Sequence, residues 1–583
     1  MKFHFSNRPC LITLALFTVT ISSLSALADP APFAVPSTVP MTQVSSRLAD
    51  DLMGSLYTMR AVYRAEYAPA DWKKAYSGYD LDVEFAKAMA AVSANPNLTL
   101  TQAHRILKNF IYSMKDYHTS ISFISTEAAS LPLIIKGTDS RFFIVYIDRA
   151  KLPANSFPFE IGDEVVTFDG YATADAVAAV QAETPENVPS TDKSLAEISL
   201  TSRRGTKGLK IPHGPITLGI KAEGSSSVQD FQLIWDYSPE TIKPREDLTR
   251  GQEPKSLGAG FSGSNLFHAK MNVQTDTPVT SPYGLGSRKT FTPELGTKIW
   301  ESTGDNEFYA YIYKNSGNKL IGYLRLPSYE ASDYIKATSD FEKIISLFEA
   351  STDSMIIDQV NNPGGSVFYL YALASMLTAQ PLQTPLHRMA ITQAEVAEAQ
   401  MQIAKLSAVH NDEDAKAVIP PTETAGYPVS YEFARFRLSY ASFIVSEWNA
   451  GHKLTQPYWI DGVEHINPAA THYSKPIVVL INHLDFSGGD FFPTIMQDNK
   501  RVTVFGSRTA GAGGYVNDVS VPNNLGIDSF RCTESIAERV NLSPIENLGV
   551  TPDVPYSMSA NDFQNNYVDY VKAIQATVSS VTP

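Results

Sequence analysis

Cysteine is almost absent. The chain has two, Cys10 and Cys532, and Cys10 lies in a stretch that reads as a removable leader. Cys532 would then stand alone, so no internal disulfide staples the fold. It follows Phe530 and Arg531 in a strand-like stretch with no histidine nearby, which argues for buried packing and against a cysteine nucleophile. Positive charge is in deficit. Lys and Arg number 47 against 61 Asp and Glu, a formal charge of −14. That balance argues against a nucleic-acid binder whose affinity comes from neutralising phosphates. Beyond the N-terminus no apolar run approaches the ~20 residues of a membrane span, so no stable membrane anchor is expected. The chain also lacks His-Glu-x-x-His, Cys-x-x-Cys and a phosphate-cradling glycine loop. Neither a metal nor a nucleotide cofactor is implied, and no cofactor is expected.

What is present divides the 583 residues into several units, since one core does not serve so long a chain. Lys2 and Arg8 precede an apolar stretch over 10–24, and Ala26-Leu27-Ala28 offers a cleavage site. Residues 1–28 therefore read as a signal peptide and the protein as exported, with periplasm, exterior and host cell all open as destinations. Residues 29–130 carry apolar residues at helical spacing, with Thr99 among the cap candidates before "LTQAHRILKNFIYSMKDYHTSISF". From 131 to 237 the period is that of strands. Within it "FPFEIGDEVVTFDGYATADAVAAV" (157–180) resembles the hairpin-then-helix order of a PDZ-like domain. Residues 238–297 are rich in Pro, Gly, Ser and charge without periodicity, and read as a linker, an exposed loop or a segment meant to be cut. From 298 to 583 apolar strands such as "SMIIDQV" and "PIVVLIN" alternate with helices. This predicts a largely parallel sheet covered on both faces, interrupted by helical insertions near 391–417 and 430–449.

Two strand-to-helix junctions in this last unit could carry chemistry. In "INHLDFSGGDFFPTIMQDN" (481–499) Ser487 ends a strand loop and opens a helix. A helix N-terminus favours developing negative charge, and the Gly488 N–H is sterically free to donate. Capping the helix would be a sufficient role for the same serine. The stretch is not the Gly-x-Ser-x-Gly elbow, because Asp485 stands where its first glycine should be. In "IIDQVNNPGGSVFYL" (356–370) Gly364 and Gly365 follow a second apolar strand, and paired glycines let a backbone approach a substrate closely.

Together these residues resemble peptidase family S41, the C-terminal-processing or tail-specific proteases. The resemblance rests on "DQVNNPGG" (358–365), "KPIVVLIN" (475–482), "SGGD" (487–490), "GSRTAGAGG" (506–514) and "IENLGVTPDV" (545–554), in the family's order and spacing. It implies a multidomain α/β protein: an N-terminal helical region, a PDZ-like domain and a ClpP/crotonase-like protease core. Many members activate the serine with a lysine at the position held here by Ala512. Lys475 and Lys500, at a strand start and a helix end, read as solvated. A branch of the family uses instead a histidine from the N-terminal region, which here matches His118 in "MKDYHTSISF", and a glutamate that matches Glu546. The resemblance thus implies a Ser487–His118–Glu546 triad, an oxyanion hole from Gly488 with Gly364 and Gly365, and protein or peptide substrates. It also implies an internal inhibitory segment removed by self-cleavage and a homodimer afterwards. His483 is a rival base by proximity and Asp490 a rival carboxylate. The alternative function is a catalytically silent peptide-binding protein on the same scaffold, and a non-protease esterase is a third reading.

Overall fold

The computed structural model describes residues 41–138, 140–241, 270–272, 281–420 and 423–583. The candidate signal peptide and most of 242–280 lie outside them. The C-terminal unit is built on a seven-stranded sheet in the order Lys298–Glu301, Ala310–Lys314, Leu320–Arg325, Ser354–Asp358, Ile477–Ile481, Thr503–Gly506, Val554–Pro555. The first two pairings are antiparallel and the next four parallel. Ser354–Asp358 and Ile477–Ile481 are buried at every position, as strands covered on both faces must be. Their side chains alternate between two cores. Ile477, Val479 and Ile481 join the core made with helices Tyr334–Ser351, Val367–Ser375 and Gly488–Asp498. Val478 and Leu480 join the other, against the C-terminal helix Val568–Val581. The expected insertions are helices Gln393–Leu406, Asp412–Val418 and Tyr431–Asn449.

The PDZ-like unit is a sheet in the order Leu133–Thr138, Arg141–Ile147, Glu164–Phe168, Pro215–Lys221, Gln229–Ile234, with helices Thr173–Gln181 and Pro189–Thr201. Asp169 and Gly170 both have positive φ, 53° and 79°, which is why an Asp-Gly pair closes that hairpin. The N-terminal helices Met41–Glu66, Leu81–Ser93 and Leu100–Tyr112 form a core with strand Ile527–Thr533, and the short helix Ala70–Ser77 follows the first of them in the chain. Thr99 caps the last of these helices reciprocally with Gln102. Strand Ser120–Phe123 pairs antiparallel with Ile527–Thr533, Ser120 opposite Arg531. No helix among the described residues is long and apolar enough to cross a membrane.

The stretch expected to be a linker differs at its end. Residues 281–297 pack on the C-terminal unit, with Tyr283, Leu285 and Leu295 buried. Tyr283 stacks on Phe291 (ring centroids 5.3 Å apart) and hydrogen-bonds Tyr567 through the hydroxyls. Isolated apolar anchors, aromatic and aliphatic, hold an irregular backbone here, so there was no period to read.

Cys532 is fully buried in the core shared by the N-terminal helices, and burial pushes its thiol up. A thiol reagent is expected to modify Cys532 only after denaturation, as peptide mass mapping would show; labelling at native rates would contradict the docking described.

Candidate active site

Two sheet-end turns lie against each other. The first leaves strand Ser354–Asp358 and passes through Gly364 (φ 96°) and Gly365 (φ 147°) into helix Val367–Ser375. A Cβ on Gly365 would sit 2.1 Å from the Tyr329 carbonyl carbon, so only glycine fits. The second turn leaves Ile477–Ile481 and enters helix Gly488–Asp498 at Ser487. Asp485 joins the two. Its carboxylate accepts the Asn362 N–H at 2.9 Å, the Asn482 N–H at 3.0 Å and the Gln359 amide at 3.3 Å. Phe486 N–H donates to the Asn362 carbonyl at 2.8 Å. Gly488 presses on the first turn so closely that a Cβ would come within 3.1 Å of Gly364 Cα. The residue that broke the elbow pattern is therefore a buried clamp.

Ser487 is fully buried with φ 57° and ψ −112°, sparsely populated for a residue with a side chain. Its N–H donates to Asp490 at 3.0 Å, but its Oγ has no hydrogen-bond partner. The capping role open to this serine is thus not performed by its hydroxyl. Asp490 is spent on structure: it also accepts the Thr509 hydroxyl and the N–H groups of Gly511 and Ala512, both at 2.9 Å. Burial pushes its carboxyl up to about 6.

His118 lies in the loop between helix Leu100–Tyr112 and strand Ser120–Phe123. Asp116 fixes that loop by accepting the His118 N–H at 2.8 Å, the Tyr67 hydroxyl at 3.1 Å and the Thr533 hydroxyl at 2.9 Å. Tyr117 packs edge-on against Phe486, ring centroids 5.5 Å apart, so the chain neighbours of His118 and Ser487 touch. The imidazole is fully buried and neither ring nitrogen has a hydrogen-bond partner. Burial lowers it to about 4; Arg531 and Lys73 add to that, and Asp116 opposes it.

Glu546 is fully buried beside Asn547, whose φ is 62°. One oxygen accepts the Gly513 N–H at 2.9 Å and the other is ion-paired with the buried Lys73 ammonium. Burial, then the Asp116 charge, push the Glu546 carboxyl up, and Lys73 pulls it back. Donor atoms of Asp116, His118 and Glu546 lie within 4.8 Å of one another. A metal ion there would face the Lys73 ammonium already seated on Glu546, so the set fits proton chemistry better than metal binding.

The remaining candidates sort by their partners. His483 is half-buried, its Nδ1 3.2 Å from the Arg508 carbonyl, and burial lowers it to about 4. Gly364 spends its N–H on Asn362 Oδ1 at 2.8 Å, which removes it as an oxyanion donor in this arrangement. Lys475 is not solvated: its ammonium donates to the carbonyls of Thr352, at 2.6 Å, and Glu349, at the end of helix Tyr334–Ser351, where unpaired carbonyls attract a cation. Lys500 is exposed, and Ala512 is buried. Outside the descriptions above, strand Lys270–Asn272 pairs antiparallel with Gly364–Ser366, Met271 opposite Gly365. Lys73, Asp116 and Asp485 were not foreseen as site residues. Asp116 had a local signal, an aspartate two positions before a turn residue; Lys73 had none.

Fold and site define an α/β peptidase carrying a PDZ domain. The pattern described as PDZ domain matches residues 127–242, and that described as Peptidase family S41 matches 320–556. An uncharacterized protein of Chlamydia muridarum (strain MoPn / Nigg) is 35% identical over 572 residues, 92% of this chain and 94% of that protein. A protein of Chlamydia trachomatis serovar D is 33% identical over 571 residues, 91% of this chain and 93% of its own. The crystal structure of mature CPAF, chlamydial protease-like activity factor, superimposes with a TM-score of 0.79 at 32% identity, covering 92% of this chain and 98% of that one. Mature CPAF complexed with lactacystin gives 0.80 at 32%, covering 92% and 99%. The chain belongs to peptidase family S41.

Gly365→Ala is expected to lower unfolding stability by about 3 kcal/mol or more, because the Tyr329 backbone blocks the new methyl. Gly54→Ala, in a helix with nothing within 4 Å, should be neutral or stabilising by up to ~1 kcal/mol. Denaturant titration of both variants checks the contrast.

Proposed function

We propose that this peptidase is an exported serine endopeptidase acting on protein substrates through Ser487, His118 and Glu546. The observation that carries the reading is a pair of buried, unsatisfied groups: Ser487 Oγ and both His118 ring nitrogens lack hydrogen-bond partners. Such atoms are costly in a native interior and concentrate where a substrate completes the network. An imidazole held near 4 is neutral at physiological pH and ready to accept a proton. His118 takes the Ser487 proton as Oγ attacks the scissile carbonyl, and Glu546 orients the ring and stabilises the imidazolium. Gly488 N–H at the helix N-terminus, with Gly365, stabilises the oxyanion. The proton then passes to the leaving amine, and water releases the acyl group from Ser487.

The strand at Lys270–Asn272 supports a zymogen. It comes from the 238–297 stretch and lies along Gly364–Ser366, the backbone edge on which an extended substrate would add a strand. Occupied this way, the edge admits no substrate until the stretch is cut. Removal by self-cleavage, followed by homodimer formation, completes the proposal on the family resemblance. The competing reading, a silent peptide-binding protein, draws on Ala512 and on the unbonded His118.

One time course separates them. Wild type is expected to be cut within 238–297 and then to hydrolyse protein substrates, whereas Ser487→Ala and His118→Ala stay intact with at least ~10³-fold less hydrolysis. Intact, inactive wild type supports the binder; a Ser487→Ala protein still cut there while wild type is intact overturns self-processing. In the processed enzyme kcat/KM should stay level from neutral pH down to about pH 5 and fall only as His118 protonates near 4. A mid-point near the ordinary histidine range would contradict the buried imidazole.

A further inference from the structure

Lys73 stands on the short helix Ala70–Ser77 with its side chain wholly out of solvent. Its ammonium has three oxygen partners: Glu546 Oε1, Asn547 Oδ1 at 2.8 Å and the Lys115 carbonyl at 2.7 Å. Three N–H bonds meet three acceptors, so no lone pair is offered to a substrate or to Ser487. The same carboxylate is held on its other oxygen by Gly513 N–H, next to the alanine at 512. A lysine is thus delivered to this neighbourhood from another part of the chain, and it does something other than take a proton.

A carboxylate in this position needs a counter-charge. Burial disfavours the anion, and Asp116 places a like charge within 4.8 Å. The groups acting on Glu546 and its partner are Lys73 from the short helix and Asp116 and His118 from one loop. Tyr67, near the end of the first helix, also feels the Glu546 charge, and Arg531, on strand Ile527–Thr533, acts on His118. Resting on the triad reading above, we infer that Lys73 is a positioning residue that draws Glu546 toward its ionised form and pins one of its oxygens, ready for the imidazolium formed on His118. Glu546 then gains no proton during the reaction. The serine proton travels to His118 and on to the leaving amine, while Lys73 keeps its three bonds. Without Lys73 the buried carboxylate loses its counter-charge, protonation of Glu546 is favoured, and the imidazolium loses its partner.

The test compares pH profiles of hydrolysis by full-length wild type, Lys73→Met and Lys73→Arg, normalised to folded protein. Lys73→Met should move the acid limb of kcat/KM upward from near 4 to about pH 8, which is the shift that an about tenfold loss at neutral pH requires. Lys73→Arg should keep the wild-type limb. An unmoved limb in Lys73→Met, at full or uniformly reduced activity, overturns the inference. A second readout does not depend on how Lys73→Met folds. In wild type the carbon-13 carboxyl resonance that vanishes in Glu546→Gln should report an ionised group at neutral pH; a protonated group there overturns the inference. Failure of the triad reading is distinct, since His118→Ala would then hydrolyse substrate like wild type.

Discussion

Leu525, Ile527, Phe530 and Cys532 are buried against Leu52, Leu56, Tyr63 and Phe110, and that apolar contact joins the two ends of the chain. His118 and Lys73 belong to the N-terminal side of the contact; Ser487 and Glu546 belong to loops of the C-terminal unit. Burying side chains of this size stabilises by about 1.5–3 kcal/mol each, enough together to hold a docking on which every proposed chemical step depends. The contact is extended by the strand pairing of Ser120–Phe123 with Ile527–Thr533, whose regular stretch from Ser120 opposite Arg531 to Ser122 opposite Ser529 sets the height of the His118 loop. Loosening this interface would separate base from nucleophile without touching either.

Within that frame, placement is done by buried carboxylates. Asp116 fixes the histidine loop, Asp485 ties the two sheet-end turns together, and Asp490 gathers the 509–512 loop beneath Ser487. Each is fully or almost fully buried and accepts several donors. A buried acceptor that loses its donors costs far more than one hydrogen bond contributes in water, so these groups enforce geometry more than they add stability. Glu546 differs in having a full cation as partner. The Tyr329–Gly365 approach plays the same role in backbone, admitting no side chain between the first turn and the segment that follows strand Leu320–Arg325.

Much of this was legible in the sequence because it repeats locally. The Ile/Val runs at 354–358 and 477–481 foretold a sheet covered on both faces, the Asp169-Gly170 pair a hairpin, and the 391–417 and 430–449 stretches their helices. Ser487 was a candidate from its local strand-to-helix junction, whereas His118 and Glu546 were candidates through motif order and family resemblance alone. What was not legible depends on partners distant in the chain. Lys475 looked like a surface lysine until the carbonyls at 349 and 352 were brought to it. Lys73 sits 473 residues from Glu546, and nothing in its own helix marks it. Residues 281–297 have no period, because isolated apolar residues such as Tyr283, Leu285 and Leu295 anchor them in place of a repeating face. The left-handed φ of Ser487, which takes its hydroxyl out of the capping position, is equally invisible in composition.

The central claim is that Ser487 and His118 act as one reactive unit across the docked interface. A serine-reactive phosphonate measures this directly, with the adduct mapped by peptide mass on processed, folded protein. The account predicts stoichiometric addition to Ser487 in wild type and a rate lower by about a hundredfold or more in His118→Ala. Absence of an adduct in folded wild type, or equal rates in both proteins, would contradict it.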